Sequence, residues 1–206
     1  MFIYFDFYEN CDIIYTYTKK GYDIDKFLNS ADSYGFVTKH LHWIMAVIII
    51  FNFILALILD DFPRGPMRSF LFGIHKSTGI LVVILLIPRL LWRLINTTPN
   101  PLGDIKTLNK ISKYIHYFFY FILLVVIFSG WIYSSARSGP FEVFGLFTAP
   151  ALIENNAVVA NIAKEIHGIS VYIFITVLGI HVAASLVHHY IFKDKTLKRM
   201  WYGDSK

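Results

Sequence analysis

Residues 166–192 read IHGISVYIFITVLGIHVAASLVHHYIF. The stretch is apolar for longer than the ~20 residues that an α-helix needs to cross ~30 Å of hydrocarbon. It nevertheless carries four histidines, His167, His181, His188 and His189. His167 and His181 are fourteen residues apart. At roughly 100° per residue that spacing returns to nearly the same helix face, about 21 Å along the axis. An ionisable side chain at membrane depth is expensive and marks a functional site by default. Imidazole is also the commonest metal-ligating side chain.

Three more apolar stretches precede this one: Leu41–Leu59, Ile74–Ile95 and Ile111–Tyr133. Of the 206 residues, 56% are hydrophobic, with a mean hydropathy of +0.54. A soluble domain typically has about 45–50%. Backbone can cross lipid only when its polar groups are bonded internally, so the sequence predicts an all-α integral membrane four-helix bundle. The nineteen basic residues are sorted by loop. Lys19, Lys20, Lys26 and Lys39 precede the first span. Arg89, Arg93, Lys106, Lys110 and Lys113 flank the second connection. Lys193, Lys195, Lys198, Arg199 and Lys206 follow the last span. That makes fourteen, against five (Arg64, Arg68, Lys76, Arg137 and Lys164) in the other two connections. Cytoplasmic loops carry the excess of Lys and Arg, so both termini are expected inside (N-in/C-in). The basic pI near 9.2 therefore reflects topology and does not point to nucleic acid.

Residues 1–33 mix aromatics with charges and lack the basic-then-apolar pattern of a signal peptide. They read as a cytoplasmic extension of unknown role, ahead of a membrane domain over 34–206. The first two connections carry Pro63, Gly65 and Pro66, then Pro99 and Pro101, and read as turns and extended chain. The third, from Ser134 to about Lys164, is the longest and is apolar enough to fold over the outer mouth of the bundle. One cysteine, Cys11, excludes an internal disulfide, covalent C-x-x-C-H haem attachment and a cysteine-built iron–sulfur or zinc site.

Topology sorts the histidines by depth. His75 and His167 are the two at the outer level. At the inner level His181 has two possible partners, His42 and His116, while His188 and His189 lie at the cytoplasmic border. His40 faces elsewhere on its helix. Two depth-matched pairs separated by ~21 Å of helix suit two bis-histidine haems better than one zinc site, which needs four clustered ligands. Gly costs about 1 kcal/mol against Ala in a helix. Gly79, one turn after His75, reads as room for a flat macrocycle. Gly168 and Gly179 fit the same reading, and Gly130 fits it as well as it fits close helix packing.

From about Tyr34 to Trp201 the chain resembles the bacterial di-haem cytochrome b561 family. The stretches that carry the resemblance are YGFVTKHLHW, FGIHKSTGILVVILLIPRLLWR, HYFFYFILLVVIFSGWIYSSARSGPFEVFGLFTAP and EIHGISVYIFITVLGIHVAASLVHHYIFKDKTLKRM. The resemblance implies a multi-pass protein of the bacterial inner membrane with two b haems. By motif match their axial ligands fall on His42, His75, His167 and His181, paired His75–His167 outside and His42–His181 inside. It also implies electron exchange with membrane quinone, with superoxide as a further donor.

Bis-histidine ligation fills both axial positions and suits electron transfer over oxygen binding. Arg89 and Arg93 are candidates for haem propionates inside; Arg64, Arg68, Lys76 and Arg137 are candidates outside. His188 shares a helix face with His181 and is the candidate proton donor to a quinone at the inner mouth. Ser138–Gly139 and GLFTAP offer an outer site instead. The alternative function is a haem-b membrane anchor that docks a hydrogenase- or dehydrogenase-like redox protein.

Overall fold

The computed structural model describes residues 26–59, 61–102 and 106–201. Cys11 and most of the N-terminal extension lie outside them. Four helices make the bundle: α1 (Phe36–Leu59), α2 (Pro66–Ile95), α3 (Lys106–Ser138) and α4 (Ala157–Tyr190). Each is long and apolar enough to cross a membrane.

The helices outrun the apolar stretches at their polar ends. Pro66 starts α2 because the first helical N–H has no intrahelical partner and Pro supplies the right φ. Pro88 lies inside α2 without ending it, as transmembrane helices tolerate. α4 starts at an Asn156 cap, whose Oδ1 accepts from Val158 N at 3.0 Å and Val159 N at 3.1 Å. Losing such a cap costs about 1 kcal/mol.

The third connection is shorter than the sequence suggested, because α3 and α4 take up its ends. Between them, β1 (Phe141–Val143) and β2 (Phe147–Ala149) form an antiparallel hairpin. Phe144 (φ 51°) and Gly145 (φ 69°) make its turn, closed by Leu146 N donating to Val143 O at 2.9 Å. Two central residues at positive φ match the strand twist. The hairpin packs on the bundle through Phe141, Val143 and Ala149 against Ile80 and Trp131. Phe144 N donates to the buried Ser77 Oγ at 3.0 Å. This end of the molecule is the hairpin face.

The other end, the terminal face, is closed by chain from three places. Asn29 Nδ2 donates to Thr97 O at 2.7 Å, and its Oδ1 accepts from Gly35 N and Thr38 Oγ1, each at 2.8 Å. Trp43 Nε1 donates to Met200 O at 2.6 Å, and the buried Arg199 donates to Asn100 O at 2.6 Å. The described end of the extension, from Asn29 onward, is thus docked against the second connection.

A central apolar cluster links all four helices: Met45, Val82, Leu86, Ile122, Leu123, Ile127 and Phe174. Much of the remaining apolar surface faces outward; Val47 is 64% and Ile180 58% exposed. Lipid is as apolar as these side chains, so their burial does not drive association; packing and interhelical hydrogen bonds do. Thr78 Oγ1 donating to Asn52 Oδ1 at 2.8 Å ties α2 to α1 in this way. Close contact runs between α1 and α2 and between α3 and α4; the two pairs meet only lightly.

Candidate functional site

On the hairpin-face side of the central cluster, His75 of α2 and His167 of α4 face one another. Their ring centroids are 6.4 Å apart with the planes at 90°. His167 Nδ1 donates to Val126 O of α3 at 2.8 Å. A carbonyl only accepts, so the ring's lone pair sits on Nε2, the nitrogen left for a metal. Gly130 makes this posture possible: a Cβ there would stand 2.9 Å from Cε1 and 3.0 Å from Nδ1 of His167. Gly130 therefore owes its place to the approach of the His167 ring. His75 Nδ1 is buried and makes no well-formed hydrogen bond. Beside it, a Cβ on Gly79 would meet nothing within 4 Å.

Two imidazoles bound to opposite sides of one iron have predictable spacing. Two metal–nitrogen bonds of about 2 Å, plus roughly 1 Å from each nitrogen to its ring centre, give about 6 to 6.5 Å. The His75–His167 pair meets that spacing. It also spans α2 and α4, which do not pack closely. The residues present fit a bis-histidine haem.

On the terminal-face side, His181 of α4 has its ring 5.8 Å from His116 and 5.4 Å from Phe119. His42 of α1 lies within electrostatic reach of both His181 and His116. The geometry thus keeps both partners for His181 that the sequence offered. The helix packing around the two differs. His116 and His181 project from the closely packed α3 and α4, whereas α1 and α4 scarcely touch, and a macrocycle needs the wider gap. His116 Nδ1 is also turned to its own helix, donating to Ser112 O at 2.6 Å.

Arg89 Nη2 donates to His42 Nδ1 at 3.1 Å. In this arrangement the His42 proton is on Nε2. Ligation through Nε2 would move that proton to Nδ1 and set two donors against each other, so Arg89 would then need another acceptor. Arg89 Nη1 already lacks a partner while buried, as does Asn96 Nδ2. Both residues line one small cavity of about 30 Å³ with Tyr34, Thr38, Trp92 and Tyr120. Two unpaired buried donors are costly unless a ligand oxygen meets them, and a carboxylate suits them. Sequence reading singled out Arg89 but missed Asn96; its only signal was a place two helical turns beyond Arg89.

His188 sits in the last turn of α4, apart from these groups, with its Nδ1 2.5 Å from Asp194 Oδ2. Burial pushes the Asp194 carboxyl up, but hydrogen bonds from His188 and Thr196 outweigh it and hold the group below the usual carboxylate range. His40 Nδ1 donates to Phe36 O at 2.8 Å on its own helix. At the hairpin face, Lys76 lies 4.6 Å over the Phe141 ring, and Arg68 donates to Phe62 O at 3.1 Å. Among the described residues, no three His, Cys, Asp or Glu side chains gather into a metal cage.

A membrane four-helix bundle that sets buried imidazoles against one another between its helices has the architecture of a b-type cytochrome. Comparison with known proteins gives the family. The chain belongs to the prokaryotic cytochrome b561 family, whose model matches residues 33–203. It is similar to cytochrome b561 homolog 2 of Escherichia coli K12, at 31% identity over 182 residues, covering 84% of this chain and 94% of the relative. It is also similar to a Yersinia pestis protein named "Probable superoxide oxidase CybB", at 29% identity, covering 78% and 90% of the two chains. Cytochrome b561 homolog 1 of Escherichia coli K12 is 28% identical, with 78% and 92% covered. The protein is a multi-pass electron-transfer cytochrome of the bacterial inner membrane, with haem b as its cofactor.

Proposed function

We propose that the chain holds two b haems, one between His75 and His167 and one between His42 and His181, and exchanges electrons with membrane quinone. The observation that carries this reading is the 6.4 Å spacing of the His75 and His167 rings. Bound haem supplies reversible one-electron chemistry; the protein's part is to position it and tune its surroundings. His167 is held through Val126 and Gly130, and Gly79 leaves space beside His75. At the second level Arg89 and Asn96 offer their unpaired donors to a haem carboxylate. The apolar cluster around Phe174 lies between the two levels.

The charge bias between connections supports the terminal face as cytoplasmic. Quinone is then exchanged at that face, where His188 reaches the membrane border. The Yersinia relative's name favours superoxide as a donor, and the opposite face carries the cations that suit it. Superoxide is an anion, and Arg64, Arg68, Lys76 and Arg137 would steer it with a rate that falls as salt rises. The test is stopped-flow mixing of the oxidised protein with superoxide, and of the reduced protein with a short-tail benzoquinone. Rapid haem reduction in the first and reoxidation in the second are expected. Failure of quinone to reoxidise the haems would favour the reading as a membrane anchor that passes electrons to another protein.

A further inference from the structure

The chain makes a tight turn after α4 that brings an aspartate back to the helix it has just left. Lys193 adopts φ 54°, a left-handed conformation uncommon for a residue other than Gly. Asp194 N then donates to His188 O at 3.1 Å. Both carboxylate oxygens are engaged: Oδ1 accepts from Thr196 N at 2.8 Å, and Oδ2 faces His188 Nδ1 at 2.5 Å. The carboxylate is therefore held in place before it meets the imidazole. The His188 side chain is still 40% exposed, with Phe192 against its ring at 5.3 Å. One nitrogen is occupied by Asp194, and the imidazole has an apolar neighbour.

We infer that Asp194 is the positioning residue for His188. It fixes the tautomer with Nδ1–H toward the carboxylate and leaves Nε2 to exchange protons with quinone at the terminal face. This rests on the reading that quinone is exchanged there. Reducing a quinone to a quinol adds two electrons and two protons, so that each C=O becomes C–OH. The electrons arrive singly from the cytochrome. Each is matched by one proton from the Nε2–H of protonated His188, which regains it from water on that side. Quinol oxidation runs the same transfers backwards. Asp194 stabilises the imidazolium between transfers and does not itself give up a proton, the division of labour familiar from histidine–aspartate pairs in hydrolases.

Asp194→Asn is the discriminating variant. The amide oxygen keeps the bond to Thr196 N, so the turn survives. The amide N–H₂ then faces Nδ1 and forces the proton onto Nε2. Haem-loaded full-length protein is reduced and mixed with a short-tail benzoquinone at several concentrations, and reoxidation is followed by haem absorbance. Asp194→Asn should lower the maximal rate about tenfold or more, within the range of general acid–base effects. The half-saturating quinone concentration should stay within about twofold, and the haem spectrum should not change. Asp194→Glu should recover most of the rate, and adding Asp194→Asn to His188→Gln should cost nothing further. If His188→Gln alone reoxidises normally, His188 is not the proton carrier and the positioning role falls with it; if the unaltered protein is not reoxidised by the quinone at all, the quinone reading itself is refuted. If His188→Gln is slow while Asp194→Asn is normal or the two effects add, the positioning role alone is overturned.

Discussion

Gly130→Ala tests the histidine geometry at the hairpin-face level with a single carbon atom. The added Cβ would lie 2.9 Å from Cε1 and 3.0 Å from Nδ1 of His167. Comfortable carbon contacts begin at about 3.5 Å, so the ring must retreat by roughly half an ångström. It cannot do so freely, because Nδ1 is bonded to Val126 O at 2.8 Å. Either that bond stretches or α3 and α4 separate. Overpacking of this kind costs about 1–3 kcal/mol. Loss of a metal ligand's outer hydrogen bond costs roughly 10–100-fold in affinity. Gly73→Ala is the matched control: this α2 glycine has no assigned part in holding haem, its Cβ would meet nothing within 4 Å, and the helix gains about 1 kcal/mol from Ala. The assay is haem content, the low-spin electron paramagnetic resonance signals and thermal stability of both variants. Gly130→Ala should weaken or shift one haem signal and lower Tm, while Gly73→Ala leaves both signals in place. Two unchanged signals in Gly130→Ala would refute the claim that His167 is a ligand held by this packing.

Other outcomes follow from the same geometry. His75→Ala or His167→Ala should remove one haem and spare the other, whereas His116→Ala should leave both bound; loss of a haem in His116→Ala would make His116 the partner of His181. Arg89→Leu should keep the bis-histidine spectrum but lower the potential of one haem by tens of millivolts in a redox titration, because a cation beside its carboxylate is gone. Thr196 amide protection should report on Asp194. A carboxyl whose folded pKa is depressed contributes stability that is present above its unfolded value of about 3.9 and lost as pH falls through the lower folded value. Hydrogen exchange at Thr196 should therefore stay protected through mildly acidic pH and open only below the usual carboxylate range.

The spans were legible because lipid selects composition over length, and Leu41–Leu59 needed no other information. Helix ends were less so. α2 starts at Pro66 rather than Ile74, because Met67, Arg68 and Ser69 continue the helix beyond the apolar run. His75 and His167 could be paired from depth alone, as no other histidine shares their level. Depth could not separate His42 from His116 as partner of His181, since that choice depends on which helices are lateral neighbours. Asn29, Asn96 and Asp194 were out of reach for a related reason. Asn29 meets Asn96 across 67 positions, and Asp194 meets His188 through one left-handed residue. Neither contact leaves a periodic trace in the sequence.

Two haems held by two histidine pairs fix the haem-to-protein ratio of the purified full-length chain. Acid-extracted haem, quantified as its pyridine complex against amino-acid analysis, should give two non-covalent b haems per chain, accompanied by two low-spin ferric signals. A ratio of one at full occupancy, or a single signal, would mean that one of the two histidine pairs holds no haem.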